Sequence, residues 1–139
     1  MIEVQVWNGD LQAVNNFYKT RNYVGADSGD IVVAAIDQGK IIGAVRLCTE
    51  NGVLVLRGMQ IADNWQRQGV GTAMLRKLDE SIGERECFGI PYPHLEKFYG
   101  QIGFQFIDIA DAPAHLQARI QEYREKKGKE YRMMRRQRV

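Results

Sequence analysis

The sequence predicts an α+β fold built on a mostly antiparallel sheet with helices on both faces, in a single domain spanning residues 1–139. Residues 31–61 contain three β-rich runs joined by tight-turn sequences. Their apolar residues stand on both faces of the strands, which calls for cover on both sides. Beyond Asp63 the hydrophobic period changes from two to that of a helix, and strands and helices then alternate. With 139 residues, 45% hydrophobic and 26% charged, the chain has the make-up of one ordinary globular domain, and disordered, collagen-like and low-complexity classes are excluded.

Ile2, Val4 and Val6 alternate with Glu3 and Gln5, the pattern of a half-buried strand, and Asn8-Gly9-Asp10 ends it. Asp10 can cap a helix whose Leu11, Val14, Phe17 and Tyr18 share one face, and the polar stretch 20–30 after it reads as a loop or a short second helix. Ile31 to Ile36, Ile41 to Cys48 and Val53 to Ile61 form a three-stranded meander, turned at Asp37-Gln38-Gly39-Lys40 and at Asn51-Gly52. A polar segment, 63–71, leads into a helix with Met74, Leu75, Leu78 and Ile82 inward and Gly83 just past its end. A short strand around Cys87 to Ile90 follows, then a helix carrying Leu95, Phe98, Tyr99 and Ile102 that starts after Pro91 and Pro93 and stops at Gly103. Phe104 to Ile109 reads as a strand. Asp111-Ala112-Pro113 opens a helix striped by Leu116, Ile120 and Tyr123, and Tyr131 to Arg136 is the last strand.

No window of 18 apolar residues exists and the first 20 residues lack a signal-peptide pattern, so a soluble cytoplasmic protein is expected. Cys48 and Cys87 form no C-x-x-C pair, and His94 and His115 are the only histidines, so no metal site and no disulfide framework are expected. Net charge is +2, unevenly spread: the segment Arg124 to Val139 carries eight Lys/Arg against two Glu, leaving the body near −4. Such an end can attract an acidic partner, and a solvated helix end with a charged last strand is the first reading of it.

The segment that carries chemistry is Gln66-Arg67-Gln68-Gly69-Val70-Gly71, between the third meander strand and the Met74 helix. A helix start leaves backbone N–H groups unpaired and carries about half a positive charge, which makes it a phosphate site. Glycine permits close approach of the backbone, and Gln66, Arg67 and Gln68 supply side-chain donors, Arg67 with the cation suited to a pyrophosphate. A Walker A loop is excluded because Thr72 follows Gly71 without a lysine. A dinucleotide fingerprint is excluded because Met74 stands at its third glycine.

On these residues the chain resembles the GNAT superfamily of N-acetyltransferases, over about Ile31 to Phe106. Gln66, Gly69 and Gly71 match the family's Q/R-x-x-G-x-G/A loop for acetyl-CoA, and Tyr99-Gly100-Gln101-Ile102-Gly103-Phe104 matches its tyrosine followed by x-x-x-G-F. The resemblance implies a central mixed sheet, the pyrophosphate of acetyl-CoA on Gln66, Arg67, Gln68, Gly69, Val70, Gly71 and Thr72, and pantetheine along Met59, Gln60 and Ile61. Gly58 inside that strand is the kind of residue that marks a bulge. A backbone N–H near Gln60 or Ile61 would stabilise the oxyanion formed when an amine attacks the thioester directly. Tyr99 takes the role of proton donor to the departing thiolate, phenol and thiol pKa values lying within roughly two units; as a residue alone it also reads as core. The chain departs from the family pattern at Tyr92 and Leu95, and Arg57 stands where many members carry an acidic base. Glu50 and His94 are the remaining candidates for that base, and Arg57 is first read as part of a structural ion pair. The expected partner is a small-molecule or peptide amine acceptor, with no membrane and no nucleic acid, and homodimerisation stays open. A non-catalytic acyl-CoA-binding regulatory module is the alternative.

Overall fold

The computed structural model describes residues 2–138. The chain divides into two compact units, residues 1–83 and 84–139. In the first, β1 (Ile2–Val6), β2 (Ile31–Asp37), β3 (Lys40–Glu50) and β4 (Val53–Ile61) pair antiparallel in that order. The meander is as the sequence predicts, and β1 extends it beside β2. Both turns take left-handed φ at their two central residues, 48° and 78° at Gln38 and Gly39 and 52° and 77° at Asn51 and Gly52. That conformation matches the twist of the strands it joins.

Two helices cover this sheet on opposite faces, and strand alternation decides which residues each one meets. Ala44 of β3 packs with Val14, Phe17 and Tyr18 of α1 (Leu11–Thr20), whereas Gly43, turned the other way, abuts Met74 of α2 (Val70–Ile82). Asp10 caps α1 by accepting from the Gln12 amide at 2.9 Å. At the far end of α2, the Gly83 amide donates to the Asp79 carbonyl at 3.0 Å. The stretch between α1 and β2 contains no helix. Asn15 pins it to α1, accepting from the Ala26 amide at 2.6 Å and donating to the Ala26 carbonyl at 3.2 Å. Those two bonds replace the ladder that a second helix would have supplied.

A charged cluster lies inside the α1 face. Arg46, 5% exposed, donates through Nη1 to Asp30 at 2.9 Å and to the Cys48 sulfur at 3.3 Å, and through Nη2 to the Tyr23 hydroxyl at 3.2 Å. Burial pushes the Cys48 thiol up to about 12, so it stays protonated at neutral pH. Cys48 is therefore a small core side chain with a polar neighbour rather than a nucleophile. A buried cation whose partner is weakened keeps its desolvation cost. Asp30→Asn retains an oxygen acceptor but loses the charge, and is expected to destabilise by about 2 kcal/mol, read as a lower urea midpoint at constant m.

In the second unit, β7 (Met133–Arg136) is central, pairing antiparallel with β5 (Cys87–Gly89) on one side and β6 (Gln105–Ile107) on the other. Leu116 and Ile120, one turn apart on α4 (Ala114–Lys127), are fully buried, and Phe104, Met133 and Met134 are buried as well. The helix expected around Tyr99 is shorter than its apolar stripe: a 3-10 turn, Pro93–Leu95, precedes α3 (Glu96–Gly100). Pro93 sets the first turn, and a left-handed Gly103, φ 91°, ends the segment. No helix among the described residues is long and apolar enough to cross a membrane.

Candidate active site

The end of β4, the segment after it and the start of α2 run consecutively through the first unit, which brings together all the residues read from sequence as binding acetyl-CoA. Ala44 pairs with Gln60 and Arg46 with Arg57, so Gly58 and Met59 both stand against Val45. This two-against-one register is a β-bulge, and it reorients the backbone that follows. Gly58 holds φ at 71°, and a Cβ there would come within 2.8 Å of the Tyr23 ring. Only glycine satisfies both conditions. Met59, Gln60 and Ile61 follow, all half-buried. Arg21, at the end of α1, ties this stretch down by donating to Gln60 Oε1 at 3.3 Å and to Asp63 at 2.8 Å.

A 3-10 turn, Asp63–Trp65, then leads into the loop. Gln66 donates its amide to the Ile61 carbonyl at 2.9 Å and to Asp63 at 3.3 Å, and Gln68 donates to the Asn64 carbonyl at 2.6 Å. Both glutamine side chains thus brace the loop from within, a role that spacing alone does not disclose. Arg67 is exposed, has a left-handed φ of 62°, and makes no ion pair or side-chain hydrogen bond among the described residues. Gly69, φ 83°, forms the N-cap of α2, and nothing lies within 4 Å of the place its Cβ would occupy. The first helical bond runs from Ala73 to the Gly69 carbonyl at 3.1 Å. The amides of Val70, Gly71 and Thr72 precede that bond, as the unpaired donors of a helix start do. An open glycine cap, unpaired amides and an unpartnered arginine at one helix N-terminus are the donor set a pyrophosphate requires.

The remaining candidates are distributed differently. Tyr99 belongs to the second unit, 4% exposed on α3, its ring edge-on to Phe98 and Phe104. Its hydroxyl makes no hydrogen bond among the described residues, and burial pushes it well above the usual phenol range. It is therefore in the protonated form across the working pH range. Arg57 pairs with Glu50 at 3.2 Å, both side chains mostly buried, which is the structural ion pair the sequence suggested and engages one of the two base candidates. His94 is exposed and stacks on the Tyr92 ring, 5.8 Å between centroids. Much of the basic end is internally engaged: Arg124 donates to the Tyr131 carbonyl, Lys126 pairs with Glu122, Arg135 with Glu86, and Arg132 lies over Phe106. Its last residue, Val139, lies outside the described residues.

Sequence reasoning placed Tyr18 in the core and did not single out Tyr23, Arg46 or Asp30. All four surround the bulge. Tyr18 donates to the Gly58 carbonyl at 2.9 Å, the Tyr23 ring lies against Gly58, and Arg46 and Asp30 hold Tyr23. The only sequence signal for this group was Gly58 itself, an isolated glycine within a strand.

The bulged strand thus delivers the chain to a glycine-capped helix start. Among known families, the profile of the acetyltransferase (GNAT) domain matches residues 27–106, and the chain belongs to that family. The chemistry of that family is acyl transfer, with acetyl-CoA as co-substrate. Solved structures share the α+β fold with its mostly antiparallel sheet. N-acetylglutamate synthase from Neisseria gonorrhoeae, solved with coenzyme A and N-acetyl-glutamate, is 14% identical at a TM-score of 0.68; the match covers 100% of this chain and 35% of that one. This chain thus spans about a third of that enzyme's length. An aminoglycoside 6'-N-acetyltransferase with coenzyme A is 11% identical, with a TM-score of 0.66 and 96% of each chain covered. The ribosomal-protein-S18-alanine N-acetyltransferase of Escherichia coli is 15% identical, with a TM-score of 0.67 and coverage of 98% and 93%. No curated protein matches the sequence.

Proposed function

We propose that this protein is an N-acetyltransferase that moves the acetyl group of acetyl-CoA onto a primary amine by direct attack in a ternary complex. The observation that carries the reading is the continuous run in the first unit from the Gly58 bulge to the α2 start. Residues Gln66 to Thr72 would take the pyrophosphate, through the amides before the first helical bond and the free Arg67 cation. Met59, Gln60 and Ile61 would pair with the pantetheine amides, as a strand pairs with an added peptide. An amide in this stretch then faces the thioester oxygen and stabilises the tetrahedral oxyanion. As that intermediate collapses, the attacking nitrogen gives up its extra proton to solvent, the carbon–sulfur bond breaks, and Tyr99 gives its proton to the departing thiolate. The acceptor is a small-molecule or peptide amine.

The test is release of free thiol from acetyl-CoA in the presence of a panel of amines: amino acids, aminoglycosides, polyamines and peptides with free N-termini. Thiol release that depends on one acceptor class is expected. Saturable acetyl-CoA binding with no thiol release for any amine would instead make the chain a non-catalytic acyl-CoA-binding module.

A further inference from the structure

The Gly58 bulge is held from outside the strand, first of all by a tyrosine forty positions away. Tyr18 is fully buried on α1 and donates its hydroxyl to the Gly58 carbonyl at 2.9 Å. Its ring meets that of Tyr23 at 4.7 Å between centroids. The Tyr23 ring in turn closes on Gly58, with Arg46 on the Tyr23 hydroxyl at 3.2 Å and Asp30 on Arg46 at 2.9 Å. The Gly58 carbonyl is therefore turned toward α1 and bonded to a side chain. In a trans peptide the C=O and the following N–H point in opposite directions. With the carbonyl fixed on Tyr18, the Met59 N–H is fixed pointing away from it.

We propose that Tyr18 is a positioning residue for acyl transfer: by holding the Gly58 carbonyl it sets the Gly58–Met59 peptide, so that the Met59 N–H is the donor that meets the thioester oxygen. This rests on the acetyltransferase reading above and names the amide that reading needs. An oxyanion donor works because its direction is set before charge develops, and a peptide in a left-handed bulge has neighbouring orientations to fall into unless something external selects one. Tyr18 touches neither donor nor acceptor and acts through Gly58. It is a dependable donor, since burial keeps its hydroxyl protonated.

The experiment uses the full chain, isotopically labelled for amide NMR and titrated separately with coenzyme A and acetyl-CoA, in wild type and Tyr18→Phe, with turnover measured in parallel on an identified acceptor. In wild type the Met59 amide proton should move with both ligands, and clearly further with acetyl-CoA than with coenzyme A. In Tyr18→Phe that difference should collapse and kcat should fall roughly tenfold, a part of the loss seen when one oxyanion donor is removed outright, with coenzyme A affinity unchanged. A merely structural role would lower stability and leave the acetyl-specific response of Met59 in the folded fraction. An unchanged response in Tyr18→Phe overturns the proposal. So does a wild type in which a different amide answers to the acetyl group, a comparison that decides the matter even if the variant does not fold. Failure of wild type to bind either ligand sinks the acetyltransferase reading as well, and is distinct from both.

Discussion

Gly71→Asp is expected to remove acetyl-CoA binding while leaving the protein folded and as stable as before. Gly71 is the second residue of α2, ahead of the first helical hydrogen bond. An acidic side chain at that position suits the positive end of the helix dipole, so the helix itself gains. The pyrophosphate meets the opposite outcome. A carboxylate about 5 Å from a phosphate charge costs about 3 kcal/mol at an effective dielectric of about 20, and the new side chain also blocks approach to the amides. The affinity loss is therefore more than a hundredfold, visible by calorimetry and as absence of the ligand-induced rise in Tm that wild type shows. Gly71→Ala separates the two causes, since it adds bulk without charge and should keep part of the affinity. A Gly71→Asp protein that binds acetyl-CoA like wild type would place the phosphate site elsewhere.

Tyr99→Phe is expected to slow turnover by roughly a hundredfold, the usual order for one acid–base group, with acetyl-CoA affinity within a few-fold. The hydroxyl makes no hydrogen bond among the described residues, so phenylalanine leaves no partner unsatisfied and keeps the edge-on contacts with Phe98 and Phe104. Stability should stay level or rise slightly. Because burial raises the Tyr99 pKa, the wild-type rate should not fall off through Tyr99 ionisation as pH passes the ordinary phenol value of about 10. The comparison is kcat and the affinity for acetyl-CoA at matched pH, under conditions where chemistry limits the rate. Equal kcat in the two proteins would return Tyr99 to the core and leave solvent to protonate the thiolate.

The parts of this molecule that were legible in the sequence are those fixed by neighbours within a few positions. Alternation in residues 31–61 and the two turn sequences specify the meander, because strand period and turn geometry are both local. The α2 stripe from Met74 to Ile82 and its closing Gly83 specify a helix for the same reason. The loop leading into α2 was legible because a glycine-capped helix start keeps its glycines within one short stretch. Less legible were elements whose length depends on what they pack against. The stripe at Leu95, Phe98, Tyr99 and Ile102 suggested a longer helix than α3, since apolar spacing shows which side is inward and not where the hydrogen bonds stop.

By itself, then, the sequence determined the α+β class, the order of strands and helices and the position of the glycine-containing loop before α2, all products of short-range periodicity and backbone preference. Only the tertiary structure decided what surrounds the Gly58 bulge. Tyr18 reaches it across forty positions, Tyr23 and Asp30 come from a loop with no regular pattern, and Arg46 looks in sequence like a charge misplaced in an apolar strand. The structure likewise turned Gln66 and Gln68 from prospective ligand donors into internal braces, and gave Arg57 to Glu50. The reason is the same in each case. A hydrogen bond or ion pair is made between groups that folding brings within about 3 Å, and nothing in either residue's own neighbourhood along the chain records which partner that will be.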